Sequence, residues 1–209
     1  MGVLTQRQIN LAGQVRISPL KKKITLVAGA DVAYRRGYLY CSICVLFFPD
    51  LDLVEESHAS MRERLPYVPG FLSFRELPAM TRAYRRLKKK PQLMMVDGQG
   101  IAHPRSLGLA SHAGVALGLP TIGCAKSHLY GHYSMPAQER GAYEYLTAHG
   151  RKIGLVLRTR SHVKPLFVSP GHLTALGDCH RFVLATAKYR IPEPLRYAHR
   201  KAGHRAKSG

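Results

Sequence analysis

Three apolar, β-branched stretches follow one another between residues 24 and 60, with only Gly37 and the Pro49-Asp50 pair between them as turns. Connections this short leave the strands little choice of partner, so 24–34, 38–48 and 51–60 are expected as an antiparallel meander. After Pro66 the period changes. Leu77, Met80, Tyr84 and Leu87 recur at three and four residues, with Arg82, Arg85, Arg86 and Lys88 to Lys90 around the other side, which predicts a helix that Pro91 ends. Short strands are expected at 93–97, 121–125, 153–158 and 165–169, and helices at 5–17, 107–117 and 173–189. Three strands in a row, then strands alternating with helices, give an α/β protein: a mixed sheet with helices on its faces. With 209 residues, one domain over 1–195 is long enough to bury roughly 70% of its unfolded surface. Residues 196–209, dense in Lys and Arg, are expected as a loosely ordered basic tail.

Charge narrows the partner. Thirty-two Lys and Arg against 12 Asp and Glu give a formal net charge of +20 and a pI near 10.3, a balance that favours contact with a polyanion. Because 45% of residues are hydrophobic, a disordered basic chain is excluded. No apolar run approaches the ~20 residues that span a bilayer, and Gln6, Arg7, Gln8 and Asn10 interrupt the first one, so a cytoplasmic protein without signal peptide or membrane contact is expected. Four cysteines fit a reducing compartment. Cys41 and Cys44, an odd number apart on one strand, should point to opposite faces as buried free thiols rather than share a metal.

With so few acids, their placement is informative. Asp31 and Asp97 each stand in or at the end of a hydrophobic strand, where an unpaired carboxylate is costly and needs a cation, hydrogen bonds or a metal. A plainer reading gives Asp31 a partner such as Arg35 and makes Asp97 the start of a turn. Two such residues on strands that one sheet can bring together favour a shared Mg²⁺ or Mn²⁺, and in so basic a chain metal-assisted phosphodiester hydrolysis follows. Glu76, Lys126, His103 and His172 flank them as candidates. Their ordinary alternatives are a helix N-terminal charge for Glu76, a solvated Lys126 and surface or capping histidines. Pro66 and Pro69 stiffen a loop that presents Tyr67 and Val68, a rigid tip suited to wedging or stacking on bases; the alternative has Tyr67 packed on the core. Phe71, Leu72 and Phe74 are the expected core fillers there.

Four motifs in order resemble those of the endonuclease V family: Pro-Tyr-Val-Pro-Gly-Phe-Leu-Ser-Phe-Arg-Glu at 66–76, Val-Asp-Gly-Gln-Gly-Ile-Ala-His-Pro-Arg at 96–105, Gly-Cys-Ala-Lys-Ser at 123–127 and Ser-Pro-Gly-His at 169–172. The resemblance covers about residues 5 to 200. It implies an RNase H-like fold and a nuclease that nicks DNA or RNA strands containing deaminated adenine, at the second phosphodiester bond 3′ to the inosine, leaving 5′-phosphate and 3′-hydroxyl ends. By resemblance Asp31, Asp97 and Glu76 hold Mg²⁺, or Mn²⁺ in its place, Lys126 contacts the scissile phosphate or water, and His103 and His172 lie beside it. Tyr67, with Pro66, Val68 and Pro69, is implied to be a wedge, and main chain around Gly70, Leu72 and Gly98 to line the base pocket. Gln99 stands where His or Asn is common, and Leu173 where a basic residue is common. No organic cofactor is expected, and the chain is expected to be a monomer. The rival reading is a basic nucleic-acid-binding protein of the same fold without catalysis; a zinc hydrolase built from some of the eleven histidines lacks a recognised ligand spacing.

Overall fold

A computed structural model describes residues 2–208. In chain order the elements are α1 (Gly2–Ala12), β1 (Leu26–Arg35), β2 (Tyr38–Phe47), β3 (Leu53–Arg62), α2 (Leu72–Arg86), β4 (Leu93–Val96), α3 (Leu109–Leu117), β5 (Thr121–Ala125), β6 (Tyr143–Ala148), β7 (Arg151–Leu157), β8 (Leu166–His172), α4 (Leu176–Thr186) and α5 (Glu193–Ser208). The strands form one eight-stranded sheet in the order β3-β2-β1-β4-β5-β8-β7-β6. β1, β2 and β3 are the expected antiparallel meander, β1-β4-β5 is parallel, and β8, β7 and β6 return antiparallel. This is the RNase H-like mixed sheet that the resemblance implied.

Both faces are covered, which explains the nearly continuous apolar runs of the central strands. Val27, Cys44, Leu46 and Met95 pack with Phe182 and Val183 of α4 and Leu195 and Ala198 of α5. Ala28, Cys41, Ile43 and Met94 pack with Leu77, Met80 and Ala83 of α2 and Ala110 and Ala113 of α3. Cys41 and Cys44 therefore lie on opposite faces, and all four cysteines are buried free thiols. Where α5 begins, it presses on β1 so closely that a Cβ on Gly29 would stand 2.1 Å from the Pro194 carbonyl, so no larger residue fits. Among the described residues no helix is long and apolar enough to cross a membrane.

The structure corrects several expectations, and helix α1 ends at Ala12 rather than at residue 17. Residues 196–209 are not a loose tail: up to Ser208 they belong to α5, whose Leu195, Ala198, Ala202 and Ala206 form a buried stripe at helical spacing. Gly209 lies outside the described residues. Strand β6 was not anticipated, because Tyr143, Glu144 and Tyr145 leave it half exposed at the sheet edge. Helix α4 starts at Leu176 rather than Leu173, since β8 runs on to His172. Helix α2 stops before Lys88, not at Pro91: the Glu55 carboxylate accepts hydrogen bonds from the Lys88 and Lys89 amides at 2.9 and 2.7 Å and holds the chain in a turn.

Candidate active site

Parallel strands β1, β4 and β5 end side by side, and the crevice beyond the carboxyl ends of such strands is where α/β sheets present ligands. Asp31 lies in β1, Asp97 follows β4 and Lys126 follows β5. The Asp97 amide donates to the Ala30 carbonyl at 3.1 Å, which continues the ladder and sets the two aspartates next to each other. Asp31 Oδ1 accepts from the Val32 amide at 2.8 Å, and Asp31 Oδ2 lies 2.7 Å from Nδ1 of His199, which α5 brings over β1. Asp97 Oδ2 accepts from Lys126 Nζ at 2.5 Å. Arg35, the partner first considered for Asp31, donates instead to the Ala206 carbonyl at 3.1 Å.

Asp31, Asp97 and His199 each offer a ligand atom, and these atoms lie within 4.8 Å of one another. Carboxylates dominate this donor set, which suits a hard cation such as Mg²⁺ or Mn²⁺. The electrostatics agree. Burial, then the charge of Asp31, raises the Asp97 carboxyl above the usual range, with Lys126 opposing. Burial, then Asp31, pushes Glu76 up to about 8, Arg75 opposing and Asp97 adding to the rise. Asp97 and Glu76, both raised with the charge of Asp31 beside them, mark a cluster short of positive charge, the condition that a bound cation relieves.

Glu76 sits on α2 beyond its first turn, so the helix-dipole reading does not apply to it, yet it is not among the converging ligand atoms. Its neighbour Arg75 is engaged elsewhere, 2.6 Å from Glu63 and stacked 4.3 Å from the Tyr34 ring. His199 takes the third place in the converging group. Sequence reasoning missed it by treating its segment as tail.

Beside the carboxylates opens a cavity of about 330 Å³, at the small end of ligand pockets, lined among others by Tyr67, Gly70, Leu72, Asp97, Gly98 and Lys126. Acid site and cavity thus share a wall. Tyr67 is 61% exposed, so it does not pack in the core; Pro66 and Pro69 are exposed beside it and Val68 half-buried. Phe71, Leu72 and Phe74 are only half-buried: the two rings lie 6.2 Å apart, with Phe74 set edge-on to His112 at 4.9 Å, above the core rather than in it.

The tip is anchored at Gly70. Its carbonyl accepts from Gln8 Nε2 at 3.0 Å and from Arg105 Nη2 at 2.9 Å, while Arg105 Nε donates to Gln8 Oε1 and the guanidinium lies 4.5 Å from the Phe71 ring. Gly70 has φ +79°, and a Cβ there would come within 2.7 Å of the guanidinium, so this position needs glycine. Gln8, fully buried on α1, also donates to the Leu107 carbonyl at 3.1 Å. A glutamine on the inner face of an amphipathic helix was the signal that could have revealed it.

His103 lines the cavity, 4% exposed; burial, then Arg105, lowers its pKa to about 4, so it is neutral at pH 7. His172 is not brought to the carboxylates. β8 runs antiparallel to β5, so His172 pairs with Thr121 at the far end of β5, five residues or about 16 Å of strand from Lys126. Its Nδ1 accepts from the Arg16 amide at 3.2 Å, a joint between the segment after α1 and β8.

A family model described as Endonuclease V matches residues 9–200. Endonuclease V of Geotalea uraniireducens is 50% identical over 201 residues, 95% of this chain and 86% of that protein. The crystal structure of Endonuclease V from Streptomyces avermitilis superposes with a TM-score of 0.94 at 40% identity, covering 99% of this chain and 93% of the other. The Ciona intestinalis Endonuclease V, solved in complex with a 24mer DNA containing an inosine followed by a ribo-adenosine, superposes at 0.87 with 26% identity, covering 99% and 98%.

Proposed function

The chain belongs to the endonuclease V family, and from that premise we propose that it is a Mg²⁺-dependent endonuclease that nicks DNA or RNA strands containing deoxyinosine or inosine. The cut falls at the second phosphodiester bond on the 3′ side of the inosine and leaves 3′-hydroxyl and 5′-phosphate ends, in nucleic-acid repair or inosine-RNA processing. The observation that carries this reading is the convergence of Asp31, Asp97 and His199 at the mouth of a cavity with an exposed aromatic tip.

The inosine base, turned out of its stack, enters the cavity against main chain at Gly70, Leu72 and Gly98, while Tyr67 fills the gap it leaves. Entry of the base sets a phosphate of the same strand at the shared wall. Asp31, Asp97 and His199 would hold the cation, with Glu76 behind them; bound there, it supplies Lewis-acid stabilisation of the phosphoryl oxygens and a more acidic water. Lys126 lies against Asp97 and offers its ammonium to the non-bridging phosphate oxygens, where negative charge grows as water attacks phosphorus and the 3′-oxygen leaves. In the cation-free protein Glu76, pushed up to about 8 by burial and the charge of Asp31, is a carboxyl able to hold a proton at neutral pH, which a bound cation would release. His103 stays uncharged in the wall and leaves Arg105 free to fix Gly70.

Matched DNA and RNA strands with and without inosine, incubated with Mg²⁺, test the reading: one nick is expected, two bonds 3′ to the inosine, with EDTA stopping nicking but not binding. No Mg²⁺-dependent nick in any inosine strand overturns it and leaves a basic binding protein. The protein is proposed to act as a cytoplasmic monomer; light scattering checks the oligomeric state.

A further inference from the structure

At the β3 edge of the sheet, beside the last turns of α5, lies a second cavity, of about 290 Å³. Arg86 and Arg205, the hydroxyl-bearing Tyr40, Ser60 and Ser208, and His58 line it, and no acidic residue does. Its position follows from register. Asp31 pairs with Ser42 and Ser42 with His58, so these three share the α5 face, and His58 stands two strand spacings, about 10 Å, from Asp31. Tyr40 and Ser60 pair with each other one same-face step further along, towards the strand end at which the acid site lies.

The charges of this corner are already sorted. Ser42 Oγ lies 2.8 Å from His58 Nδ1, His58 Nε2 lies 3.3 Å from Glu56 Oε1, and Glu56 Oε2 lies 2.7 Å from Lys201 Nζ. The neighbouring acid is thereby engaged by Lys201 and His58. Arg86 gives one nitrogen to the His58 carbonyl at 2.6 Å and keeps the rest of its fork. Among the described residues the Arg205 guanidinium has no hydrogen-bond or ion-pair partner. Arg86 ends α2 on one face of the sheet and Arg205 lies near the end of α5 on the other. Two guanidinium groups that reach one cavity from opposite faces repel each other unless an anion lies between them, and their planar forks match phosphate oxygens.

We infer that this cavity is a phosphate subsite, holding a backbone phosphate of the bound strand other than the one that is cut, on the order of 10 Å from the acid site by two strand spacings. The inference rests on the endonuclease reading only for the identity of the polymer. It divides the +20 charge into diffuse attraction and one built contact.

Binding of a long inosine-containing strand and of an inosine trinucleotide that carries only the cut phosphate and the one on its 5′ side, measured by anisotropy in EDTA over a salt series, tests it. Arg205→Gln and Arg86→Gln should each weaken the long strand several-fold and lower its salt slope by about one, with little effect on the trinucleotide. Arg205 is exposed, so its variant folds, and Lys22→Gln, on another surface, controls for lost net charge. Equal losses on both strands, or a loss no larger than that of Lys22→Gln, overturn the subsite. A pocket for free anions would instead let inorganic phosphate stabilise the wild type but not Arg205→Gln with no dependence on strand length, which also overturns the assignment. Nicking of the long strand by the wild type is measured alongside. No nicking refutes the endonuclease reading, whereas nicking without an Arg205 effect refutes only the subsite.

Discussion

Gln8 and Gly70 are joined by a 3.0 Å hydrogen bond from the buried side-chain amide of α1 to the carbonyl at the base of the aromatic tip. The same side chain accepts from Arg105, so one glutamine holds both partners that fix the tip. Gln8→Ala leaves the Leu107 carbonyl and the Arg105 fork short of a partner, at about 1–3 kcal/mol of stability. The loosened tip should raise KM for an inosine strand more than it lowers kcat, and narrow the preference for inosine over unmodified strand. Gln8→Glu keeps the acceptor for Arg105 but loses both donors to carbonyls, and should fall between wild type and Gln8→Ala. Equal weakening of inosine and unmodified strands would make Gln8 a structural residue alone.

Asp31→Asn and Asp97→Asn keep shape and most hydrogen bonds but remove the charge that a divalent cation needs. Nicking should fall by at least about a thousandfold, the worth of several kcal/mol of cation-dependent stabilisation, while strand binding persists. His199→Ala removes one of the three converging ligand atoms and should cost at least about 10–100-fold in cation affinity, the effect that losing even a group that only orients a ligand has. Calorimetric titration with Mn²⁺ and single-turnover nicking measure these. Full nicking by either aspartate variant would remove the cation from the site.

The raised pKa of Glu76 fixes a sign. Between the ordinary value of 4.5 and about 8 the cation-free folded protein binds a proton that the unfolded chain has lost, so this group's contribution to stability is fully present below 4.5 and declines as pH rises through 8. Cation binding runs the opposite way, because it needs the carboxylates ionised, so affinity should climb with pH up to about 8. Glu76→Gln should flatten both trends. Melting curves in EDTA and Mn²⁺ titrations at pH 6, 7 and 8 check this, and an unchanged pH dependence in the variant would assign the trends to Asp97.

Asp31, Asp97 and Lys126 were legible in the sequence because each breaks or ends an apolar run, and a polar group there has few explanations. The meander was legible because its turns are short. His172 was misplaced for a topological reason: a motif read along the chain does not say whether its strand runs with or against its neighbour, and β8 runs against β5. His199 was hidden because the buried stripe beneath α5 is made of Ala198, Ala202 and Ala206, which local pattern does not separate from the surrounding Arg and Lys. Gln8 makes its bonds to residues 62 and 99 positions away, a relation that no local signal carries.

Adjacent positions on α5 should therefore respond oppositely to added carbon. Ala202 is fully buried, on the helix that carries His199 across β1, so Ala202→Leu should overpack the interface and cost about 1–3 kcal/mol. It should also lower cation affinity by moving the imidazole from Asp31. Gly203 has nothing within 4 Å of where a Cβ would stand, so Gly203→Ala meets no clash, and the better helix former should stabilise the protein by about 0.5–1 kcal/mol. A flexible tail would show neither effect, since its residues contribute no folded contacts to lose or improve. Urea unfolding of the two variants decides between these outcomes, and two midpoints equal to that of the wild type would restore the tail.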